Sequence, residues 1–178
     1  MSLICTPNLQ DILSDAILVV DTCVLIDASK NREVSLLLSG LEKAGCVFET
    51  PPAVLNEFTC NAKDRTEYKE MRQFFESLNI GLIHRIEDHF LDDAGPTFDM
   101  VIRRCKVNRP SYVDRLVLFV PYWYKAQKML VITSNHKDVP HEFYDLVGHI
   151  SYESKNEFRN IGVYSFNREK FDKIAKKL

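Results

Sequence analysis

The sequence predicts an α/β fold with three layers, α/β/α, around a mostly parallel central sheet. Two observations lead to this prediction. Short, continuous apolar runs are typical of strands that are buried on both faces, and here they alternate along the chain with segments of helical periodicity. This alternation is typical of a parallel sheet whose successive strands are connected by helices. At 178 residues the chain is most simply one domain, residues 1–178.

Composition and charge fit an ordinary globular protein. Apolar residues make up 46% of the chain, and the net charge of −2 argues against an extensive nucleic-acid footprint, though not against a local one. The five cysteines have no CxxC spacing, which favours reduced thiols over a disulfide framework. No apolar run is long enough to cross a membrane and no signal-peptide pattern is present, so we expect a cytoplasmic protein without a membrane partner.

Turn residues and apolar periodicity divide the first half of the chain into strands and helices. Apolar residues recur at steps of three and four within residues 29–44, which predicts a helix, and Gly45 is a typical stop. Pro51 ends a short strand, and Pro52 suits the first turn of the next helix. In order, the predicted elements are a helical turn at 8–13, a strand at Ile17–Val20, a helix at 29–44, a strand at 46–49, a helix at 52–58, a helix at 64–78 and a weak strand at 80–86.

The second half of the chain contains the most apolar helix and two further strands. Ser111 is a suitable N-cap for a helix that runs to residue 128, and Pro121 should kink this helix because proline removes a hydrogen bond. Gly95 and Pro96 should interrupt the helical segment before it. The remaining predicted elements are helical pieces within 87–105, a strand at Met129–Thr133, a polar segment with helical potential, a last strand at 161–166 and a basic amphipathic helix at 167–178.

Five acidic or amide side chains stand at the ends of predicted strands or near the starts of predicted helices. Asp21 directly follows the first buried strand, and Asn135 lies two residues past the strand at Met129–Thr133. Because ligands bind outside the carboxyl ends of parallel strands, this edge of the sheet is the expected position of a site. Acids near helix starts can also simply stabilise a helix N-terminus, and Asp21 alone could be a cap. The candidate residues are Asp21, Glu57, Asp114, Asn135 and Asp138.

Four segments that contain these residues read DTCVLID, PPAVLNEF, SYVDRLVLF and VITSNHKDV. In order and spacing they resemble the four motifs of the PIN-domain nucleases, a family that includes the VapC-type toxins. The resemblance covers most of the chain and matches Asp21, Glu57 and Asp114 to the acids of the first three motifs. In the fourth motif, Asn135 stands where the family can have a carboxylate, and Val139 stands where an aromatic residue often follows the last Asp.

This resemblance implies a PIN-like fold and an endoribonuclease that uses Mg²⁺ or Mn²⁺ to hydrolyse RNA phosphodiester bonds. Mg²⁺ prefers hard oxygen ligands and retains several waters, which a few carboxylates at an open edge can satisfy. The resemblance assigns Asp21 and Asp114 to metal contact, and Glu57 to metal contact or to orienting the water. It assigns Asn135 and Asp138 to the outer part of the catalytic site, and Thr22 and Thr133 to hydrogen bonds to these carboxylates.

Basic residues cluster between the second and third motifs and within the third. They could contact the phosphates of an RNA substrate, and a solvated basic surface is an equally open interpretation. Relatives of the toxin type often form dimers and are held by an antitoxin, so the resemblance also implies a homodimer and a cognate antitoxin as partners. The basic residues are Arg103, Arg104, Lys106, Arg109 and Arg115.

Two other functions remain open. A PIN-like fold can serve as a catalytically inactive module that binds RNA or protein. A haloacid-dehalogenase-like phosphatase also places an Asp nucleophile after a buried strand, but it needs a second Asp two residues later, where this chain has Cys23. A thiol nucleophile at Cys23 is also disfavoured, since no histidine is near it in sequence and a small core residue explains it better.

Overall fold

The computed structural model describes residues 4–5, 9–105, 107, 110–125, 127–154 and 157–178. Within this part of the chain, seven strands form one mixed sheet. The strands are β1 (Ile4–Cys5), β2 (Ile17–Val20), β3 (Val47–Thr50), β4 (Gly81–Leu82), β5 (Met129–Thr133), β6 (Tyr144–Ser154) and β7 (Glu157–Phe166). They lie side by side in the order β1-β6-β7-β5-β2-β3-β4.

Helices connect the parallel strands, and a further helix follows the last strand. Most begin at a side-chain cap that accepts a hydrogen bond from the first turn, as Asp64 and Asn167 do. A π-helical turn at His89–Asp93 and a 3₁₀ turn at His136–Asp138 are also present. The α-helices are α1 (Leu9–Leu13), α2 (Thr22–Lys30), α3 (Arg32–Lys43), α4 (Pro52–Cys60), α5 (Arg65–Ser77), α6 (Ile86–Asp88), α7 (Gly95–Ile102), α8 (Tyr112–Trp123) and α9 (Arg168–Ala175).

The sheet is parallel in one half and antiparallel in the other. Strand β2 pairs in parallel with β3 and β5, and β3 pairs in parallel with β4. The pairs β5–β7, β7–β6 and β6–β1 are antiparallel, so the prediction of a mostly parallel sheet holds for one half only. Every residue of β5 and the last three of β2 are buried, so helices cover both faces of these central strands. The architecture is therefore compatible with the predicted three layers.

The largest difference from the sequence prediction lies between residues 141 and 160. We predicted helical potential there, but the chain forms strand β6 and the first part of β7, paired from Tyr144 with Phe166 to Ser154 with Glu157. A bulge between Leu146 and Gly148 shifts the register by one residue. Because one extra residue reverses which face successive side chains occupy, the bulge disguises the alternation that would have predicted a strand.

Smaller differences concern where helices begin and end. The predicted helix at 29–44 is two helices, because Asn31 ends α2 and its side chain accepts a hydrogen bond from the Glu33 N–H to begin α3. The predicted helix at 112–128 begins as expected with Ser111 as N-cap, but it ends at Trp123, two residues past Pro121. No α-helix in the described residues is long and apolar enough to span a membrane.

A tight approach fixes the turn between the π-helical segment and α7. A Cβ atom added at Gly95 would lie 1.6 Å from the Phe90 carbonyl oxygen. Only glycine fits there, because real Cβ atoms do not approach a backbone oxygen this closely. The ring of Phe90 packs edge-on against Phe119 of α8, so this turn is held against the central helix of the fold.

Candidate functional site

Asp21 lies at the carboxyl end of β2 and forms the N-cap of α2. Its Oδ1 accepts a hydrogen bond of 2.7 Å from the Thr22 backbone N–H. Its Oδ2 accepts one of 2.6 Å from the Thr133 hydroxyl and one of 3.0 Å from the Cys23 thiol. The side chain is therefore held by donors from α2 and from the end of β5. Asp21 is a cap, as the sequence left open, and it also stands at the predicted edge of the sheet.

Burial raises the pKa of Asp21 from its ordinary value of 3.8 to about 6. The hydrogen bonds from Cys23 and Thr133 favour the ionised form and act against this rise. The negative charge of Asp114 acts in the same direction as burial, which places the two carboxylates within electrostatic reach of each other. At neutral pH Asp21 is thus an ionised carboxylate in a protein environment that disfavours its charge.

The predicted acids of the third and fourth motifs share one cleft with Asp21. We call it the acidic cleft, and its polar lining comprises Asp21, Asp114, Thr133, Asn135 and Asp138. Its apolar wall comes from α8 and β5 and from the residue after the 3₁₀ turn. The cleft has a volume of about 10 Å³, which is enough for a particle the size of water but too small to enclose an organic ligand.

Asp114 enters the cleft from the first turn of α8. Its Oδ2 accepts a hydrogen bond of 2.7 Å from the Ser111 N–H, while the Ser111 hydroxyl accepts one of 3.1 Å from the Asp114 N–H. This reciprocal capping box is the helix-stabilising role that sequence alone could not exclude. Asp114 is also placed for a second role, in the acidic cleft. It is half-buried, lines this cleft and interacts electrostatically with Asp21 and Asp138.

The segment after β5 supplies the remaining polar wall of the cleft. The Thr133 hydroxyl accepts a hydrogen bond of 2.9 Å from the Asn135 N–H, and the Asn135 amide donates to Asp138. Burial raises the pKa of Asp138, the hydrogen bond from Asn135 lowers it, and the charge of Asp114 raises it again. The Asn135 amide thus partly offsets the effect of Asp114 on the pKa of Asp138, whereas a carboxylate at position 135 would have added to the repulsion.

Glu57 lies beside the acidic cleft but is not among the described residues that line it. It is half-buried on α4, and its Oε2 accepts a hydrogen bond from the Thr22 hydroxyl. Since the Thr22 N–H also donates to Asp21, one residue links the two carboxylates. The sequence expectation that both threonines hydrogen-bond to the acids is confirmed: Thr22 donates to Asp21 and Glu57, and Thr133 donates to Asp21.

The fit of this arrangement to a divalent cation is limited by the spacing of its acids. Among the described residues, no three His, Cys, Asp or Glu side chains are close enough together to hold a metal ion. Mg²⁺, however, is usually bound by one or two carboxylates and keeps several waters. The oxygen donors of Asp21, Asp114 and Asp138 around a water-sized opening fit a site of this second kind, without direct contact from Glu57.

Two of the predicted RNA-binding arginines are already paired. Arg103 and Arg115 both contact the Asp99 carboxylate, at 2.9 Å and 2.6 Å, so one negative charge is shared between two guanidinium groups. Arg104 is exposed and forms no ion pair with a described carboxylate. The predicted contacts Lys106 and Arg109 lie outside the described residues. The described part of the basic cluster therefore keeps a net positive charge that is smaller than the sequence suggests.

The sequence did not predict the role of Cys23. Its thiol donates to Asp21, lies 3.2 Å from the Thr133 hydroxyl and accepts a hydrogen bond from the Ser134 N–H. Burial, followed by the nearby charge of Asp21, raises the pKa of this thiol to about 12, so it stays protonated and is not a nucleophile. The sequence feature that could have predicted this contact is the position of Cys23 in the first turn of a helix capped by Asp21, where side chains can reach the cap.

Asp27, the last residue of the first motif, ties the site to the β6–β7 hairpin. Its Oδ2 accepts a hydrogen bond of 2.9 Å from the Ser134 hydroxyl, and its Oδ1 lies 3.5 Å from the Arg159 guanidinium. These contacts join α2, the segment after β5 and strand β7. Asp27 is therefore a structural acid that stabilises the position of the segment leading to Asn135 and Asp138.

No family model matches the chain, and no curated protein or solved structure is found to be similar to it. The fold and the site define an α/β protein with an acidic cleft at the carboxyl ends of two parallel strands.

Proposed function

We propose that the protein is a PIN-like, divalent-metal-dependent endoribonuclease that acts at the acidic cleft. One observation carries the proposal: Asp21, Asp114, Asn135 and Asp138, which come from three of the four motifs, line one cleft at the carboxyl ends of β2 and β5. This is the edge at which parallel α/β sheets bind ligands. Acids whose pKa is raised by burial and by a neighbouring charge, as at Asp21 and Asp138 beside Asp114, are also typical of functional sites.

Asp21 and Asp114 are the residues that would hold Mg²⁺ or Mn²⁺, and Asn135 and Asp138 would bind its waters. The cation, when bound, supplies an activated water and offsets the charge of the phosphodiester. Asp21 and Asp138 suit this role because burial and the charge of Asp114 disfavour their ionised forms, and a bound cation would offset that cost.

The neighbouring residues position these acids. Thr133 and Cys23 both donate to Oδ2 of Asp21 and so fix the plane of its carboxylate. Thr22 holds Glu57 beside the cleft, where its carboxylate can orient a water that approaches the phosphorus atom. Since the wall contributed by α8 is apolar, with Val117 and Leu118, it limits the water that reaches the cleft from the protein side.

The proposed substrate is single-stranded or loop RNA. The net charge of −2 and the pairing of Arg103 and Arg115 with Asp99 leave few free cations for a long duplex. An opening of water-sized volume suits a single phosphodiester presented from outside, not an enclosed small substrate. We therefore propose that duplex DNA is not cleaved.

A cleavage assay on defined structured RNAs, with Mg²⁺, Mn²⁺ or EDTA, tests the proposal. Wild type should cut single-stranded or loop positions only with the metal. Asp114→Asn, whose side-chain oxygen can still accept from Ser111, should lose activity by about 100-fold or more, because it removes one charge from the cleft. Asp92→Asn, an exposed acid on the π-helical turn, is the matched control and should cut as wild type does.

Four outcomes would contradict the proposal. Full activity in EDTA would exclude the metal, and equal cutting of duplex DNA would exclude the proposed substrate range. Unchanged activity in Asp114→Asn would place the reaction elsewhere. RNA binding without cleavage under every metal condition would instead favour the catalytically inactive module.

A further inference from the structure

A second, larger cavity lies at the end of β5 opposite to the acidic cleft. Its volume is about 1120 Å³, and it is lined by the first residues of β5, Met129 and Leu130, and by the segment that precedes them. The acidic cleft is lined by Thr133, the last residue of the same strand. The two openings are therefore at opposite edges of the sheet, and the proposed nuclease site makes no use of the larger one.

One aromatic ring in this region is left without an aromatic partner. Tyr124, which follows α8, is half-buried and lines both the large cavity and an adjoining one of about 440 Å³. Its neighbours are occupied: the Tyr122 ring packs against Phe171, with centroids 4.8 Å apart, and Trp123 stacks on His89 at 4.3 Å. Tyr124 makes no ring contact within the described part of the chain, so its ring is available to a planar ligand.

The cavity is also positively charged. Lys125, Lys128 and Arg168 line it, against the single carboxylate of Asp172. The Arg168 guanidinium lies 4.3 Å from the centre of the Tyr122 ring, donates to the Tyr122 carbonyl, and forms no ion pair with any described carboxylate. Lys125 lines both cavities together with Tyr124, is exposed and forms no ion pair with a described carboxylate, so its ammonium group can bind an anion beside that ring.

We propose that this cavity binds a nucleotide, whose base stacks on Tyr124 and whose phosphate is held by Lys125 and Lys128. Stacking on an aromatic side chain and neutralisation of phosphate by basic residues are the two interactions that nucleotide units share. A sugar phosphate lacks the aromatic base that would stack on Tyr124, and an uncharged aromatic compound lacks the phosphate that the lysines would bind. The nucleotide can be free or can be the phosphorylated end of an RNA strand. This inference does not rest on the proposed nuclease function.

Calorimetric titration in EDTA with adenosine 5′-monophosphate tests this inference, and ribose 5-phosphate is the ligand without a base. Wild type should bind the nucleotide clearly more tightly than the sugar phosphate. Tyr124→Leu should weaken nucleotide binding about 5- to 150-fold, the effect of losing one base–aromatic stack. Tyr68→Leu removes an exposed tyrosine on α5 and should bind as wild type does. Trp123, the one tryptophan of the chain, lines the adjoining cavity and gives an independent fluorescence signal.

A second variant keeps the test decisive if Tyr124→Leu folds poorly. Lys125→Gln should weaken binding of both ligands, whereas Lys43→Gln, an exposed lysine on α3, should leave both unchanged. A 5′-phosphorylated tetranucleotide identifies the source: binding tighter than that of the mononucleotide indicates an RNA end, and equal binding indicates a free nucleotide.

Several results would overturn the inference. Failure of wild type to bind the mononucleotide would be one, and equal affinity of wild type for nucleotide and sugar phosphate would be another. Unchanged affinity in folded Tyr124→Leu and Lys125→Gln would be a third such result. Because EDTA is present throughout, failure of the proposed metal site does not affect these titrations, and the two proposals fail independently.

Discussion

Replacing Asp21 with Asn distinguishes a functional role of this carboxylate from its role as a helix N-cap. The substitution removes the buried charge, while the amide oxygen can still accept from the Thr22 N–H as an N-cap. At neutral pH and without metal we expect Asp21→Asn to be more stable than wild type. At the same time it should lose metal-dependent cleavage, because the same charge is needed to hold the cation.

The magnitude follows from the pKa of Asp21. Its rise from 3.8 to about 6 corresponds to about 3 kcal/mol of unfavourable free energy at neutral pH. The new amide group meets two donors, the Cys23 thiol and the Thr133 hydroxyl, and the poorer hydrogen bonding should cost about 1 kcal/mol or somewhat more. The net gain is about 1–2 kcal/mol, or an increase in Tm of roughly 2–8 °C for a chain of this length.

The gain should depend on pH in one direction. The folded pKa is above the unfolded one, so the folded wild type holds a proton that the unfolded chain releases between about pH 4 and pH 6. Wild type therefore loses stability relative to Asp21→Asn as pH rises through this window, and the advantage of the variant should vanish below it. Thermal melting in EDTA across these pH values measures the difference.

Asp64→Asn is the matched control, because Asp64 is also an N-cap but is exposed, and backbone hydrogen bonds from Glu67 and Thr66 lower its pKa. Its stabilising effect is present above the unfolded pKa and lost as pH falls, so Asp64→Asn should not gain stability at neutral pH. A variant Asp21→Asn that melts lower than wild type at every pH, yet still cuts RNA, would refute the functional role and leave Asp21 as a cap.

Three further predictions concern other parts of the molecule. Gly95→Ala should lower the free energy of unfolding by about 1–3 kcal/mol or more, whereas Gly40→Ala, with no atom within 4 Å of the new Cβ in α3, should raise it by about 0.5–1 kcal/mol in chemical denaturation. A thiol reagent at neutral pH should modify the exposed Cys60 quickly and the half-buried Cys23 much more slowly, and equal rates would contradict a thiol that stays protonated. Arg104→Gln should weaken RNA binding at low salt and reduce its salt dependence, and an unchanged salt dependence would remove Arg104 from the RNA contact.

Much of the fold could be predicted because local signals agreed with tertiary packing. The apolar runs Ile17–Val20 and Met129–Thr133 form the two central strands at the predicted residues, and Ser111 begins α8 as expected. The hairpin of β6 and β7 was missed, since its bulge breaks the alternation of side chains and its exposed face carries Leu146. Antiparallel strands at the edge of a parallel sheet have no connecting helix that would indicate them.

The site was predictable as a set of residues but not as a geometry. Strand ends and helix starts placed Asp21, Asp114 and Asn135 at one edge, and all three line the acidic cleft. Position in sequence could not show that Glu57 is held outside the cleft lining by Thr22, because this depends on how α4 packs against α2. The hydrogen bond from Cys23 to Asp21 has the same origin, since a side-chain rotamer in the first turn of a helix decides it.

Mn²⁺ binding followed by electron paramagnetic resonance tests the proposed metal site most directly, because it reads the cation without requiring an RNA substrate. Wild type should bind Mn²⁺ in competition with Mg²⁺, and Asp114→Asn should weaken binding by about 10-fold or more, while the exposed control Asp92→Asn leaves it unchanged. Absence of Mn²⁺ binding by wild type, or equal binding by wild type and Asp114→Asn, would contradict a metal site in the acidic cleft.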